Sequence, residues 1–253
     1  MRRIRFFIVL LIPILGFSQG EIAKFNTVFK DNISFGAGLK SNGYRLSYRR
    51  GYFVNIYQRN FYEIEFTQIK DPREIKFSNP YFFTSSNIYF AKINAVNDLR
   101  AGYGRMRILT QKMDKGSVEI RFLMSGGLSL ALIKPVYYEV LDKTATYRYV
   151  TKFTEDLLLQ QVIEMAPFYR GLEELKINPG TYLKLGISFE YAKKANAISA
   201  LEVGGSLSAY LLPIKIIYGN RGRHLFLALF IEYRLGRYFP ASLKRKKRLE
   251  QNE

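Results

Sequence analysis

Several stretches of the chain alternate apolar and polar residues with a period of two. Their lengths approach the roughly 9–11 residues that a tilted membrane-crossing strand needs. Over 181–192, Leu183, Leu185, Ile187, Phe189 and Tyr191 fall on one face, and Lys184, Gly186, Ser188 and Glu190 on the other. The pattern recurs over 200–211, where Leu201, Val203 and Leu207 oppose Glu202, Ser206 and Ser208. It returns over 224–235 with Leu225, Leu227, Leu229, Ile231, Tyr233 and Leu235 outward, and again over 117–125 and 61–68. Segments 33–40 and 44–49 flank Ser41-Asn42-Gly43, a tight-turn signal between two strands. Leu99, Ala101 and Tyr103 alternate with Arg100 and Gly102, and Arg105 and Arg107 then read as a slip of parity, with a bulge expected near Gly104. Segment 87–94 is short.

These segments predict an all-β fold, a transmembrane antiparallel β-barrel of about ten strands, with eight or twelve as the alternatives. The strands fall at about 33–41, 44–53, 60–70, 87–94, 98–110, 117–125, 128–140, 181–192, 199–211 and 224–236. On this reading Ala95–Asp98 and Gly126-Gly127 are short turns at the end that holds both termini, with 54–59 and 193–198. The long connections, 71–86, 141–180 and 212–223, then fall together at the opposite, outer end, as bacterial barrels require. Within 141–180, Thr154 caps an expected helical segment through Met165, which Pro167 ends; Asn178-Pro179-Gly180 reads as a turn.

The first residues change the compartment. Arg2, Arg3 and Arg5 precede an uncharged run from Phe6 to Phe17, and Gly16 and Ser18 suit a cleavage site after Ser18. Residues 1–18 are therefore expected to be a signal peptide, with 19–32 an N-terminal segment, 33–239 the barrel and 240–253 a basic periplasmic tail. Cleavage lowers the formal charge from +18 to +15, because three arginines leave. Export makes nucleic acid an unsuitable partner for that charge, so lipid headgroups, lipopolysaccharide phosphates or an acidic protein are expected instead. Beyond residue 18 the longest apolar run, Leu225–Ile231, has seven residues, too short for a crossing helix. The chain has no Cys. A closed barrel in lipid is held without disulfides, by complete inter-strand hydrogen bonding.

Candidate chemistry is sparse. The inward faces carry Glu63, Glu65, Glu119, Glu190, Glu202 and Glu232 with Lys40, Arg45, Arg49, Arg100, Arg121, Lys184 and Arg234. Opposite charges in a narrow lumen point to a paired, filled interior, with a narrow solute path as the alternative. His224, the one histidine, begins the last strand beside Arg221 and Arg223. A lipid hydrolase would need a nucleophile and an acid beside it. One His and no Cys give no zinc set. No catalytic, cofactor-binding or metal residue is assigned, no cofactor is expected, and the protein reads as a non-enzyme.

Asn42-Gly43 leads to Tyr48-Arg49-Arg50-Gly51, and Phe61-Tyr62-Glu63-Ile64-Glu65-Phe66 follows. Ser125-Gly126-Gly127 precedes Lys134-Pro135-Val136-Tyr137, and Ala166-Pro167-Phe168-Tyr169-Arg170-Gly171 comes later. In these stretches the chain resembles an uncharacterised family of small outer-membrane β-barrels of Bacteroidota. The resemblance covers most of the chain after the leader and implies a barrel and no activity. It departs at the C-terminus, where Tyr238-Phe239 is followed by 14 residues instead of ending the chain on an aromatic. The expected role is a structural or accessory subunit of an outer-membrane complex, such as one for protein insertion or export. A narrow channel or lipid-handling barrel and a lipid-modifying enzyme are the rivals.

Overall fold

The computed structural model describes residues 30–55, 57–77, 88–111, 117–142, 147–155, 157, 161–191 and 196–240. The leader, most of the N-terminal segment and the basic tail after Pro240 lie outside the described residues.

Among the described residues thirteen strands follow in order: β1 Lys30–Lys40, β2 Gly43–Phe53, β3 Gln58–Ile69, β4 Lys76–Phe77, β5 Ile88–Tyr89, β6 Asn94–Thr110 and β7 Glu119–Pro135. They continue as β8 Tyr137–Leu141, β9 Arg148–Lys152, β10 Val162–Met165, β11 Lys176–Glu190, β12 Ala197–Ile214 and β13 Arg223–Pro240. Eight of them close a barrel in the order β1-β13-β12-β11-β7-β6-β3-β2, every neighbour antiparallel.

One hydrogen-bonded row traced round the wall fixes the barrel's geometry. It runs Phe53, Arg59, Met106, Leu123, Gly186, Gly204, Phe230, Lys40 and returns to β2 at Gly43. The return is displaced by 53 − 43 = 10 residues. Eight strands with that stagger tilt by roughly 40°. A barrel of this size has an interior that side chains fill.

The expected ten strands become eight for two reasons. Segment 117–125 and the first part of 128–140 are one strand, β7, running through Gly126-Gly127 without a positive φ at either glycine, and the rest of 128–140 enters β8 of the cap. The glycines are there for space. A Cβ on Gly127 would collide with the Ala101 carbonyl, and one on Gly102, opposite it, with the Tyr182 hydroxyl. Segment 87–94 contributes only β5, which pairs with β4 above the rim, and Asn94 already belongs to β6. Ala95–Asp98 is likewise strand, not turn.

Three smaller expectations also fail. No bulge occurs at Gly104: the β6 registers run unbroken from Asn94 to Ile108, so Arg105 and Arg107 stay on the outward face. Asn178-Pro179-Gly180 lies inside β11. Pro179 is tolerated because the pairing of β11 with β12 starts only at Gly180. The described part of the expected helix 154–165 holds no α-helix. Val162–Met165 is β10, where Val162, Glu164 and Met165 pair against β8 and Ile163 sits at a shift of register.

The Ser41-Asn42 turn forms as expected, with Gly43 at φ 143°. With eight strands the two longest connections, 70–93 and 136–175, still share one end. Residues 41–42, 70–93, 136–175 and 215–222 lie at one end; 54–57, 111–118, 191–196 and the termini of the barrel lie at the other.

The long connections form one folded cap. The sheet β10-β8-β9 and the pair β4-β5 enclose Ile88, Val136, Tyr138, Val140, Leu157 and Val162. Tyr138 is fully buried, and its hydroxyl accepts from the Lys92 amide at 2.9 Å and lies 2.6 Å from the Tyr89 carbonyl. Burial pushes that hydroxyl's pKa up. The cap joins the 215–222 connection through Ile93 N–H to Ile216 O, 2.8 Å, and Tyr218 N–H to Ala91 O, 2.8 Å.

Candidate functional site

The lumen is layered from the short-turn end upward. At the bottom, Arg121 donates from Nε to Glu119 Oε1 at 2.6 Å and pairs through Nη1 with Glu190 at 2.5 Å. Arg59 and Arg121 both donate to the Tyr238 hydroxyl, at 2.7 and 3.0 Å. Phe61, Met106 and Leu123 close an apolar layer above them.

The middle is ionic. Arg49 donates to Glu202 at 2.6 Å and to Glu63 at 2.9 Å. Arg45 pairs with Glu65 and, at 2.7 Å, with Glu232. Arg234 reaches Glu63 at 3.0 Å, Glu202 at 3.3 Å and Glu232. Lys184 lies between Glu63 and Glu65 and donates to both. Arg100 joins through Glu65, at 3.8 Å, and pairs with Asp98 at 2.6 Å.

Arg45, Arg49, Arg100, Lys184 and Arg234 thus pair with five acids, Glu63, Glu65, Asp98, Glu202 and Glu232, and Lys40 is buried beside them. All are buried. Pairing on this scale is what such burial demands, because an unpaired ion in a dry interior costs on the order of several kcal/mol. Aromatic rings fill the remaining angles, with Arg49 over Phe61 at 4.3 Å and Arg45 over Phe230 at 4.5 Å. Gly36 makes room, since a Cβ there would overlap Glu232 Oε1.

Above the ions, Ser129 and Tyr210 donate to Asp98 at 2.5 and 2.7 Å. Ile69, Val96, Ala131, Ile214 and Ile216 then seal the mouth beneath the cap.

Sequence parity placed the charged residues well. Glu63, Glu65, Glu190, Glu202, Glu232, Lys40, Arg45, Arg49, Arg100, Arg121, Lys184 and Arg234 are buried inward, and Glu119 is half-buried at the lower opening. Asp98 was missed because it was read as part of a turn. Its alternation with Arg100 was the available signal. His224 is exposed on the rim, its Nδ1 3.1 Å from the Tyr210 carbonyl. Among the described residues, no cluster of His, Asp and Glu has the geometry to hold a metal ion. Among the described residues, the inward side chains pair or pack from the lower opening to the mouth.

The outer wall is the opposite surface. Leu227 is 76% exposed, and Leu128, Leu225, Leu229, Ile231 and Leu235 are also exposed. From Leu225 to Leu235 on β13 the outward residues are all apolar. That distance rises roughly 25 Å along the barrel axis, the height of an outer-membrane apolar band. Such a continuous belt far exceeds the patches a water-soluble monomer exposes, so this wall faces hydrocarbon. Tyrosines edge it toward the short-turn end. Tyr62 lies 6.0 Å from Tyr52 and 5.3 Å from Tyr103 between ring centroids, and Tyr191 hydrogen-bonds Tyr233 at 2.8 Å.

No family model and no curated protein matches the chain. Among solved structures, the chain is similar to the N-terminal β-barrel domain of OprF from Pseudomonas aeruginosa, with 9% identity and a TM-score of 0.33 over 83% of this chain and 97% of that one. It is also similar to Neisserial surface protein A, at 11% identity and TM-score 0.35, covering 85% of this chain and 98% of that one. A major outer membrane protein from Thermus thermophilus matches at 11% identity and TM-score 0.38, over 81% and 98% of the two chains. The fold stands on the closed set of strand registers and not on these likenesses.

Proposed function

We propose that this chain is a non-enzymatic outer-membrane barrel that serves as a structural or accessory subunit of an outer-membrane complex. One observation carries this reading: the lumen is occupied from wall to wall and its mouth is roofed by the cap. A paired and packed interior among the described residues favours surfaces as the means of action. The orientation follows from loop lengths, with the short turns and barrel termini periplasmic and the cap outside.

The cap supports a partner-binding role. Tyr147, Tyr149, Phe168, Tyr169 and Leu172 are exposed on it, interleaved with Arg148 and Arg170. Aromatic and arginine side chains are the ones that interfaces use most heavily. Strand β9 is moreover an edge of the cap sheet, open to pairing by an added strand.

The test is a mild-detergent extraction of native outer membranes through a tag on the C-terminal tail, with the captured proteins identified by mass spectrometry. A stoichiometric set of barrel and lipoprotein partners is expected, and it shrinks when Tyr147, Tyr149 and Phe168 are changed to Ser. Recovery of the chain alone would overturn the subunit reading.

A further inference from the structure

We propose that the outer wall carries a seat for one anionic phospholipid, with an acyl groove on β1–β3 and a phosphate-binding group of arginines at its lower end. This deepens the reading of the barrel as membrane-embedded. Placing the lipid in the periplasmic leaflet rests on the orientation given above; the binding itself does not.

The groove arises from one small residue. Ala37 faces outward on β1, directly opposite Leu46 on β2 and Tyr233 on β13. Around it stand Phe35, Tyr48, Ile64, Phe66, Leu99 and Leu235, which together line an apolar depression of about 540 Å³. A volume of that order accepts a substantial length of alkyl chain, and the apolar lining has no other ligand chemistry to offer.

The groove leads to positive charge. On β2 the outward residue after Tyr48, toward the short-turn end, is Arg50. On β6 the outward series Leu99, Ala101, Tyr103 continues as Arg105 and Arg107. All three arginines are exposed, and among the described residues none has an ion-pair partner. Between them β3 presents Asn60 opposite Arg105 and Tyr62 opposite Arg50. The Tyr52–Tyr62–Tyr103 stack thus lies among the arginines.

At this level β13 adds a further exposed outward arginine, Arg237, on the far side of Ile33. The residues paired with these arginines on the flanking strands are apolar: Ile33 on β1 beside Arg50, Met124 and Phe122 on β7 beside Arg105 and Arg107. Guanidinium groups bind phosphate oxygens in bidentate fashion, and tyrosines favour the headgroup level. An apolar groove ending in three guanidiniums that have no ion-pair partner among the described residues matches a lipid with a net-negative phosphodiester. A zwitterionic headgroup would set its own cation against these groups.

The test uses the purified barrel in detergent micelles doped equally with phosphatidylglycerol and phosphatidylcholine, with retained lipid counted by native mass spectrometry. Phosphatidylglycerol is expected to be retained in preference. Retention should fall by about tenfold or more in R50Q/R105Q/R107Q, since each base near a membrane surface contributes on the order of severalfold. It should also fall in A37F, which fills the groove and leaves the arginines in place. K176Q/R223Q, at the cap end, should retain lipid as the parent does. Equal retention of the two lipids, no change in either site variant, or an equal loss in K176Q/R223Q would each overturn the proposal. Heat-modifiable electrophoretic migration checks folding, and R105Q alone serves if the triple variant does not fold. The readout needs no partner protein, so failure of the subunit reading leaves this result independent.

Discussion

Lys184 shows what a single residue does in this lumen. It projects from β11 between Glu63 and Glu65 and donates to both, fully buried. Replacing it with Met keeps much of the volume and removes the charge that offsets two carboxylates. Breaking a buried ion pair by deleting one partner costs about 3–5 kcal/mol, because the remaining charge stays dehydrated. Lys184→Met should therefore lower the urea midpoint of the folded barrel, followed by far-UV circular dichroism in lipid vesicles. An unchanged midpoint would mean that the other pairs suffice without it. Glycine plays the complementary part: at Gly102 and Gly127 the missing Cβ is the space that the facing strand and Tyr182 occupy.

At the scale of elements, the cap is the part with titratable contacts in water. Glu174 accepts from Lys152 and from the Tyr137 hydroxyl, joining the loop before β11 to β9 and β8. Those two hydrogen bonds hold the Glu174 carboxyl below its usual range, and the hydrogen bond to Glu174 raises Lys152. A depressed carboxyl contributes stability above its unfolded pKa, and this is lost as pH falls through the folded value. A raised amine contributes below its unfolded pKa, and this is lost as pH rises through the folded value. The loop over 166–175 should accordingly resist protease best at intermediate pH and loosen toward both extremes. Glu174→Gln should remove the acid-side loosening. The effect is small, because these groups are solvent-exposed.

At the scale of the whole molecule, closure and filling decide what the protein can do. Eight strands with a stagger of ten residues leave an interior that the ionic network and its apolar layers occupy. Steady ion conductance in planar bilayers should be absent, before and after neutralisation by Glu119→Gln or Arg121→Gln. Those residues sit at the lower opening, below the apolar layer that blocks the path. A stable conductance that either substitution abolishes would restore the channel reading.

Alternation with a period of two was enough, from sequence alone, to give the all-β class, the facing of nearly every charged lumen residue and the tight turn at Ser41-Asn42. Each of these depends on neighbours along the chain: side chains in a strand take opposite faces in turn, and a turn is made by the residues within it. The number of strands was not legible in that way. Gly126-Gly127 reads as a turn locally, yet lies mid-strand opposite Tyr103 and Gly102 of β6, with the Ala101 carbonyl where a Cβ of Gly127 would stand. Val162–Met165 reads as part of a helix, and becomes a strand because β8 offers it an edge. Which acid meets which base was equally out of reach: Arg49 and Glu202 are 153 residues apart and meet only when the barrel closes. The same holds for the outward arginines. Arg105 and Arg107 looked like a slip of register, and only the unbroken pairing of β6 with β3 and β7 puts them on the lipid face beside Arg50.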